Sequence, residues 1–235
     1  PMLPPTLQRY ADHLRSCADV EGLRGLAVPG DVAEVVDGGG HRRPPYAGLM
    51  AFVLGRLGVD VAAFAGQLDD AADWPDAVPG GVDAEVLSGR AWNVLALALA
   101  REEPAVADEL FRKVADQGAR FADDGSNPEP RWYAELVLLH ALTSFAAWVG
   151  DASLLQAAAD AAAYQQAETQ PDHATGQPWA IHAALLSPDT LPLADLLLLP
   201  VSLPDGRSVI NRLLLADGVM ALESPAFAEA STWPA

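Results

Sequence analysis

Cysteine is almost absent from the chain, since Cys17 is the only one among 235 residues. A single cysteine excludes an internal disulfide, so a reducing compartment fits best and we expect a cytoplasmic protein. A disulfide-free exported protein also fits this composition. The opening residues, Pro1-Met2-Leu3-Pro4-Pro5, lack the basic region and apolar run that are typical of a signal peptide.

Basic residues are also scarce: 14 Lys and Arg stand against 32 Asp and Glu, which gives a formal charge of −18. A field of this sign repels the phosphate backbone of nucleic acids and the surface of anionic membranes. The partners that we expect are therefore a protein, a small molecule or a second copy of the chain. Solubility alone would account for the excess of acids.

Long hydrophobic runs and strand patterns are missing as well. The longest uncharged apolar stretch, residues 136–150, is shorter than the roughly 20 residues that span a bilayer, and we predict that it is a buried core helix. No segment alternates apolar and polar residues over the length of a strand. The sequence therefore predicts an all-α protein with essentially no β-sheet.

Motifs for catalysis and for metal binding are absent too. No Gly-x-Ser-x-Gly elbow occurs, and the acidic residues between Asp69 and Asp83 lack the spacing and central glycine of a calcium loop. His173 and His182 are separated by eight residues, which is no recognised zinc spacing. We accordingly predict no metal ion and no cofactor.

Helical periodicity is what the chain does contain. Gly150 is placed for a left-handed helix stop and Asp151 for the N-cap of the next helix. The predicted helices are an opening helix at 5–18; three pairs at 46–57 with 61–73, 84–100 with 105–123, and 131–149 with 152–167; and shorter helices at 178–186, 193–199 and 207–222.

The turns within these pairs recur at a nearly regular spacing. Asp60, Pro104 and Asp151 are 44 and 47 residues apart, which predicts stacked antiparallel helix hairpins in an α/α superhelix or partial toroid with a concave face. We predict a single domain, 1–235. It comprises an N-terminal helix with an irregular segment (1–44), the hairpin array (45–222), and an irregular tail (223–235) that Trp233 pins.

One hairpin resembles those of known helical proteins. The pattern Trp132-Tyr133-x-Glu135-Leu136, then Leu139-His140-Ala141-Leu142, Gly150-Asp151 and an alanine-rich second helix resembles the hairpins of α/α-toroid proteins. Six-hairpin glycosidases and terpenoid cyclases are built in this way. The resemblance covers roughly residues 84–186 and implies a toroid-like enzyme acting on a sugar or an apolar small molecule. Because the chain has room for about four hairpins rather than six, no catalytic residue is transferred.

Polar side chains are concentrated in residues 168–179, after the third helix pair. Glu168, Asp172 and His173 are the predicted acid–base groups, since a carboxylate beside an imidazole can divide the acid and base roles. Helical spacing should align further aromatic and polar side chains along neighbouring faces. The predicted ligand-binding residues are Trp132, Tyr133, His140, Gln170, Gln177, Trp179 and His182.

Three other interpretations of this region are open. His173, His182 and a carboxylate could hold a metal ion. Trp132, Trp148 and Trp179 could line an apolar or sugar-binding groove without catalysis. A purely structural interpretation has Asp172 or Thr175 capping the following helix and the histidines satisfied within the core.

The leading functional hypothesis is a soluble helical-repeat protein that binds a partner protein or small ligand on a concave face near residues 168–182. The alternative is an α/α-toroid-like enzyme with carboxylate and histidine acid–base chemistry. A homo-oligomer is compatible with either hypothesis, because a second copy could complete a half-closed ring.

Overall fold

The computed structural model describes residues 3–25, 35–36, 42–43, 47–61, 68, 82–123, 125, 128–169, 176–202 and 208–233. Within these ranges the chain is built of α-helices, and the predicted all-α class is confirmed. The only strands there are β1 (Val35–Val36) and β2 (Arg42–Arg43), which form a two-residue antiparallel ladder. The helices of the described ranges are α1 (Pro5–Ala18), α2 (Val20–Arg24), α3 (Ala47–Arg56), α4 (Val82–Ala100), α5 (Ala105–Asp116), α6 (Pro128–Val149), α7 (Ala152–Glu168), α8 (Ile181–Ala184), α9 (Leu191–Leu198), α10 (Val209–Leu222) and α11 (Pro225–Ala230).

Helix α6 is the centre of the packing. It contacts α4, α5, α7, α8 and α10, and every residue from Tyr133 to Ala147 is buried. By length and composition it could cross a membrane, but 83% of its apolar window lies inside the protein, as in a core helix. A helix that is apolar around its whole circumference must be enclosed by others, and the predicted core helix is confirmed.

The turn between α6 and α7 follows directly from two residues. Gly150 has a φ of +77°, in the left-handed region that glycine adopts without a Cβ clash. The Asp151 side chain accepts hydrogen bonds from the backbone N–H groups of Ser153 and Leu154 and so caps α7. Both predicted roles are confirmed, and the hairpin is formed as the sequence indicates.

Other predicted boundaries differ from the structure. α5 ends at Asp116 rather than at residue 123, because Gly118 and Ala119 both adopt positive φ and turn the chain away. Most of the predicted helix 61–73 lies outside the described residues, and among the described helices α3 packs against α4. The regular hairpin repeat and the toroid therefore stay predictions.

The predicted irregular tail contains a helix. Ser224 accepts a hydrogen bond from the N–H of Phe227 and caps α11, a Ser-Pro start that the missing periodicity concealed. Beyond it, Trp233 Nε1–H donates to the carbonyl of Leu185 at 2.9 Å, and Thr232 N–H donates to that of Leu186 at 3.0 Å. The expectation that Trp233 pins the tail is confirmed.

Helices α3 and α4 approach closely where Gly48 meets Trp92. A Cβ at position 48 would lie 2.4 Å from the backbone carbon of Trp92, whereas one at Gly55 in the same helix would meet side-chain methyl groups of Leu99 at 3.2 Å and Val61 at 3.6 Å. We expect Gly48→Ala to lower the free energy of unfolding by about 2 kcal/mol, because the clash outweighs the better helix propensity of alanine.

Gly55→Ala is the matched control in the same helix. It should leave stability within about 1 kcal/mol, since a leucine side chain can move aside. Chemical denaturation of both variants would measure the difference, and equal stabilities would contradict the proposed close approach.

Candidate functional site

A stripe of polar side chains on α6 forms one wall of the candidate site. Tyr133, His140 and Ser144 are all buried, and their spacing of seven and four residues places them along one face of the helix. The segment of residues 176–184 lies against this face. Tyr133 and His140 therefore lie against the segment that follows α7.

Gln177 and Trp179 connect this segment to α6 at one end. The Tyr133 hydroxyl donates to Gln177 Oε1 at 3.0 Å, and Trp179 Nε1–H donates to the same oxygen at 2.7 Å. The tyrosine and tryptophan rings meet edge to face at 6.1 Å. All three side chains are buried, so they form a satisfied interior network rather than an open wall.

His140 is fixed by the backbone of the same segment. Its Nδ1 accepts a hydrogen bond from Ala180 N–H at 2.9 Å, and its ring lies 4.1 Å from that of His182. Ala180 has a φ of +58°, a left-handed conformation that is strained for a residue with a Cβ. The backbone is therefore strained at Ala180, the residue whose N–H donates to the His140 imidazole.

Asp217 on α10 completes the cluster, and sequence reasoning missed it. Its side chain has no exposed surface. Oδ1 accepts from Arg56 Nη1 at 3.3 Å, and Oδ2 accepts from the Ser144 hydroxyl. His140 Nε2 lies 3.3 Å and His182 Nε2 3.8 Å from Oδ2, close enough for strong attraction although outside regular hydrogen-bond geometry. The only indication in the sequence was that Asp217 is the one acidic residue of a mainly apolar predicted helix.

Burial and charge together determine the protonation of this cluster. Burial lowers the pKa of His140 against the raising effect of Asp217, and burial together with the neighbouring His140 lowers the pKa of His182 well below its usual value. Burial would raise the pKa of Asp217, but His140 and the Arg56 charge outweigh it and lower that pKa to about 2. Neutral histidines thus surround one buried ion pair.

The cluster has the ligand types of a metal centre but not the proton arrangement. His140, His182 and Asp217 each offer an atom, all within 4.8 Å of one another. A metal-bound imidazole normally donates from its second nitrogen, whereas Nδ1 of His140 accepts from Ala180 N–H, so the proton belongs on Nε2 facing Asp217. Arg56 already provides the positive charge that the carboxylate needs. These contacts favour an ionic hydrogen-bond cluster.

A serine nucleophile does not fit the geometry either. Ser144 Oγ lies 3.1 Å from His182 Nε2. In a catalytic triad, however, the carboxylate contacts the other imidazole nitrogen, whereas Asp217 faces Nε2 as well. The hydroxyl proton is directed to Asp217, so Ser144 serves the cluster as a bridge.

A second buried network lies at the start of the polar segment. Glu135 accepts from Phe121 N–H at 3.0 Å through Oε1 and from Gln165 Nε2–H at 2.9 Å through Oε2. The Thr169 hydroxyl lies 2.9 Å from Gln165 Oε1 and 2.7 Å from its carbonyl oxygen. Burial raises the pKa of Glu135 although both hydrogen bonds to it act in the opposite direction.

The two networks hold both ends of the segment 170–175. Thr169 precedes it and is connected through Gln165 to Glu135; Gln177 follows it and is bonded to Tyr133. Residues two apart on a helix point in different directions, so Thr169 and Gln177 are attached on two sides of α6. The sequence did not predict these two attachments, because both depend on tertiary contacts with α6.

The remaining predicted residues are distributed differently. Glu168 is exposed at the end of α7, and Trp132 is partly exposed on α6. Trp148 is partly buried and packs on Phe52 and Phe145 against the core, apart from the network. His182, like His140, is fully buried. Gln170, Asp172 and His173 lie outside the described residues.

The buried histidines predict a pH-dependent stability. Their folded pKa values lie below the unfolded value of about 6.5, so below that pH the unfolded chain binds more protons and stability falls. Two such groups give a slope of up to about 2.7 kcal/mol per pH unit in urea denaturation between pH 6 and 5.

His182→Gln should reduce this slope by about one proton. His13→Gln, at an exposed histidine on α1, is the matched control that removes an imidazole outside the cluster. A wild-type stability that is flat from pH 7 to 5 would contradict the assignment of neutral, buried imidazoles.

The Asp217–Arg56 pair predicts an asymmetric response to substitution. Asp217→Asn should lower the free energy of unfolding at pH 7 by about 3 kcal/mol or more, because it leaves a largely buried guanidinium without its anion. Arg56→Met should cost more, since it leaves a fully buried carboxylate without its cation, whereas the guanidinium side chain is 15% exposed. Equal and additive losses in a double-mutant cycle would show that the two groups do not interact.

Comparison with known proteins gives no further assignment. No family model, no curated protein and no solved structure matches the chain.

Proposed function

We propose that the protein is a helical binding protein whose site is the surface near residues 168–182, and that its ligand is a polyhydroxylated small molecule. The observation that carries this proposal is the double anchoring at Thr169 and Gln177. Buried polar groups cost free energy unless they are fully bonded, and apolar packing would hold a passive turn more simply. Fixed ends favour a segment whose position is functionally important.

The side chains of this segment suit a ligand rich in hydroxyl groups. Glu168, Asp172 and His173 provide charged or imidazole hydrogen-bonding groups, and Gln170 and Thr175 provide neutral ones. Hydroxyl groups donate and accept, so they match such a mixed set. Trp179 is fully buried and contributes no exposed stacking surface. Of the aromatic residues in the initial hypothesis, the partly exposed Trp132 is the one that can still form a wall.

A second candidate is an enzyme that acts on the same class of ligand. Its specific support is that the segment adjoins buried groups with shifted pKa values, an arrangement that often marks catalytic sites. In this proposal Glu168, Asp172 and His173 keep their acid–base roles, and the buried cluster positions the segment. The α/α-toroid architecture, the cytoplasmic location and pairing of two copies belong to the same set of proposals.

Thermal denaturation with a panel of neutral mono- and oligosaccharides tests the binding proposal. We expect at least one sugar to raise the Tm of the wild type, since a ligand that binds only the folded state stabilises it. Asp172→Asn and His173→Ala should each abolish that shift, and the Tm of each variant without sugar should equal that of the wild type. Arg9→Gln on α1 is the control and should retain the full shift.

The result distinguishes the two candidates. A wild type that no sugar stabilises, or variants that keep the full shift, would overturn the proposed site. If the bound sugar is also converted to product, and Glu168→Gln stops conversion while the Tm shift persists, the enzyme is the correct candidate.

A further inference from the structure

A groove between α1 and α9 contains a second set of groups that the proposed site does not use. This open groove has a volume of about 620 Å³, and none of its described lining residues belongs to the region 168–182. Binding sites for small molecules usually enclose 300–1,000 Å³ and combine an apolar lining with a few polar groups. The groove has this composition, since leucines from α9 face Arg9, Tyr10 and His13 of α1 across Asp195.

The polar part of the groove presents a fixed carboxylate. The Tyr10 hydroxyl donates to Asp195 Oδ1 at 2.6 Å. Burial and this bond to Asp195 raise the pKa of Tyr10 to about 12, so the phenol stays a donor at neutral pH. In the described part of the chain no donor contacts Oδ2, the second oxygen of Asp195, which is exposed on α9.

Arg9 provides a cation close to this carboxylate. Its charge and that of Asp195 both act on the Tyr10 hydroxyl, with opposite signs. Among the residues that the structure describes, Arg9 bonds the Thr6 hydroxyl at 3.3 Å and forms no ion pair with a carboxylate. The groove therefore carries one available charge of each sign.

The other wall of the groove is apolar and accessible. Leu199 is 63% exposed, the largest exposure among the large hydrophobic residues of the described chain. Leu191, at the start of α9, is partly exposed, and the buried Leu198 also lines the groove. An exposed leucine adjoining two opposite charges is complementary to a molecule that has an apolar body and two charged groups.

We propose that this groove binds an apolar zwitterion, of which a free hydrophobic α-amino acid is the simplest. The ammonium group would contact Asp195, the carboxylate would contact Arg9, and the side chain would lie against Leu191 and Leu199. An anion without an ammonium group would face the repulsion of Asp195 and of a chain with a charge of −18. A cation without a carboxylate would leave Arg9 unpaired and close to its own charge.

Isothermal titration calorimetry of the full chain tests the zwitterion requirement. The probes are L-leucine and L-phenylalanine. Two analogues of leucine each lack one charge: 4-methylpentanoate has no ammonium group, and 3-methylbutylamine has no carboxylate. We expect both amino acids to bind and each analogue to bind at least about tenfold more weakly, because a hydrogen bond to a charged group is lost.

Substitutions locate the site. Arg9→Gln and Asp195→Asn should each weaken leucine binding by about tenfold or more. Arg101→Gln and Asp160→Asn, at exposed positions on other parts of the surface, should leave it unchanged. Circular dichroism confirms that each variant is folded, which we expect since neither groove substitution alters the core.

Three results would overturn the proposal. The first is that neither amino acid gives a heat of binding at millimolar concentration. The second is that the analogues bind as tightly as leucine. The third is that the groove variants bind leucine as tightly as the wild type does. Loss of sugar-dependent stabilisation in Asp172→Asn bears only on the other site, so the two proposals can fail separately.

Discussion

A single buried carboxylate constrains four helices. Asp217 has no access to water, and an ion in a medium of low dielectric constant must be neutralised and hydrogen-bonded. Its partners come from separate elements: Arg56 from the end of α3, His140 and Ser144 from α6, and His182 from α8. Sliding any of these helices by one residue would remove a partner, so the cluster fixes their relative register.

The polar core extends from this cluster towards the segment of interest. His140 receives the N–H of Ala180, and its ring lies 5.6 Å from that of Trp179, which is bonded in turn to Gln177. A continuous set of buried polar and aromatic groups thus connects α10 with the end of the segment 170–175. The polar core thus reaches Gln177, which follows the segment 170–175 in the sequence.

Local patterns were sufficient for some of the structure. Gly150 and Asp151 determine a helix stop and a helix cap by their own backbone and side-chain chemistry, so both features can be predicted from the sequence. The spacing of Tyr133 and His140 likewise predicts one helical face. Asp217 and Arg56 could not be found in this way, because their pairing is 161 residues apart and depends on tertiary packing. In the sequence Thr169 and Gln177 are two polar residues among many in a predicted loop, and only the structure shows their buried hydrogen-bond partners.

The packing of α1 against α10 has a consequence for how the protein folds. α1 buries Leu7, Ala11 and Leu14, and the helix that covers this face begins at Val209, about 190 residues later. At a synthesis rate of about 5–20 residues per second, α1 waits roughly 10 to 40 seconds for its partner. Such contacts between distant residues also slow folding itself. The buried face of α1 therefore lacks its partner helix for as long as the intervening residues are being synthesised.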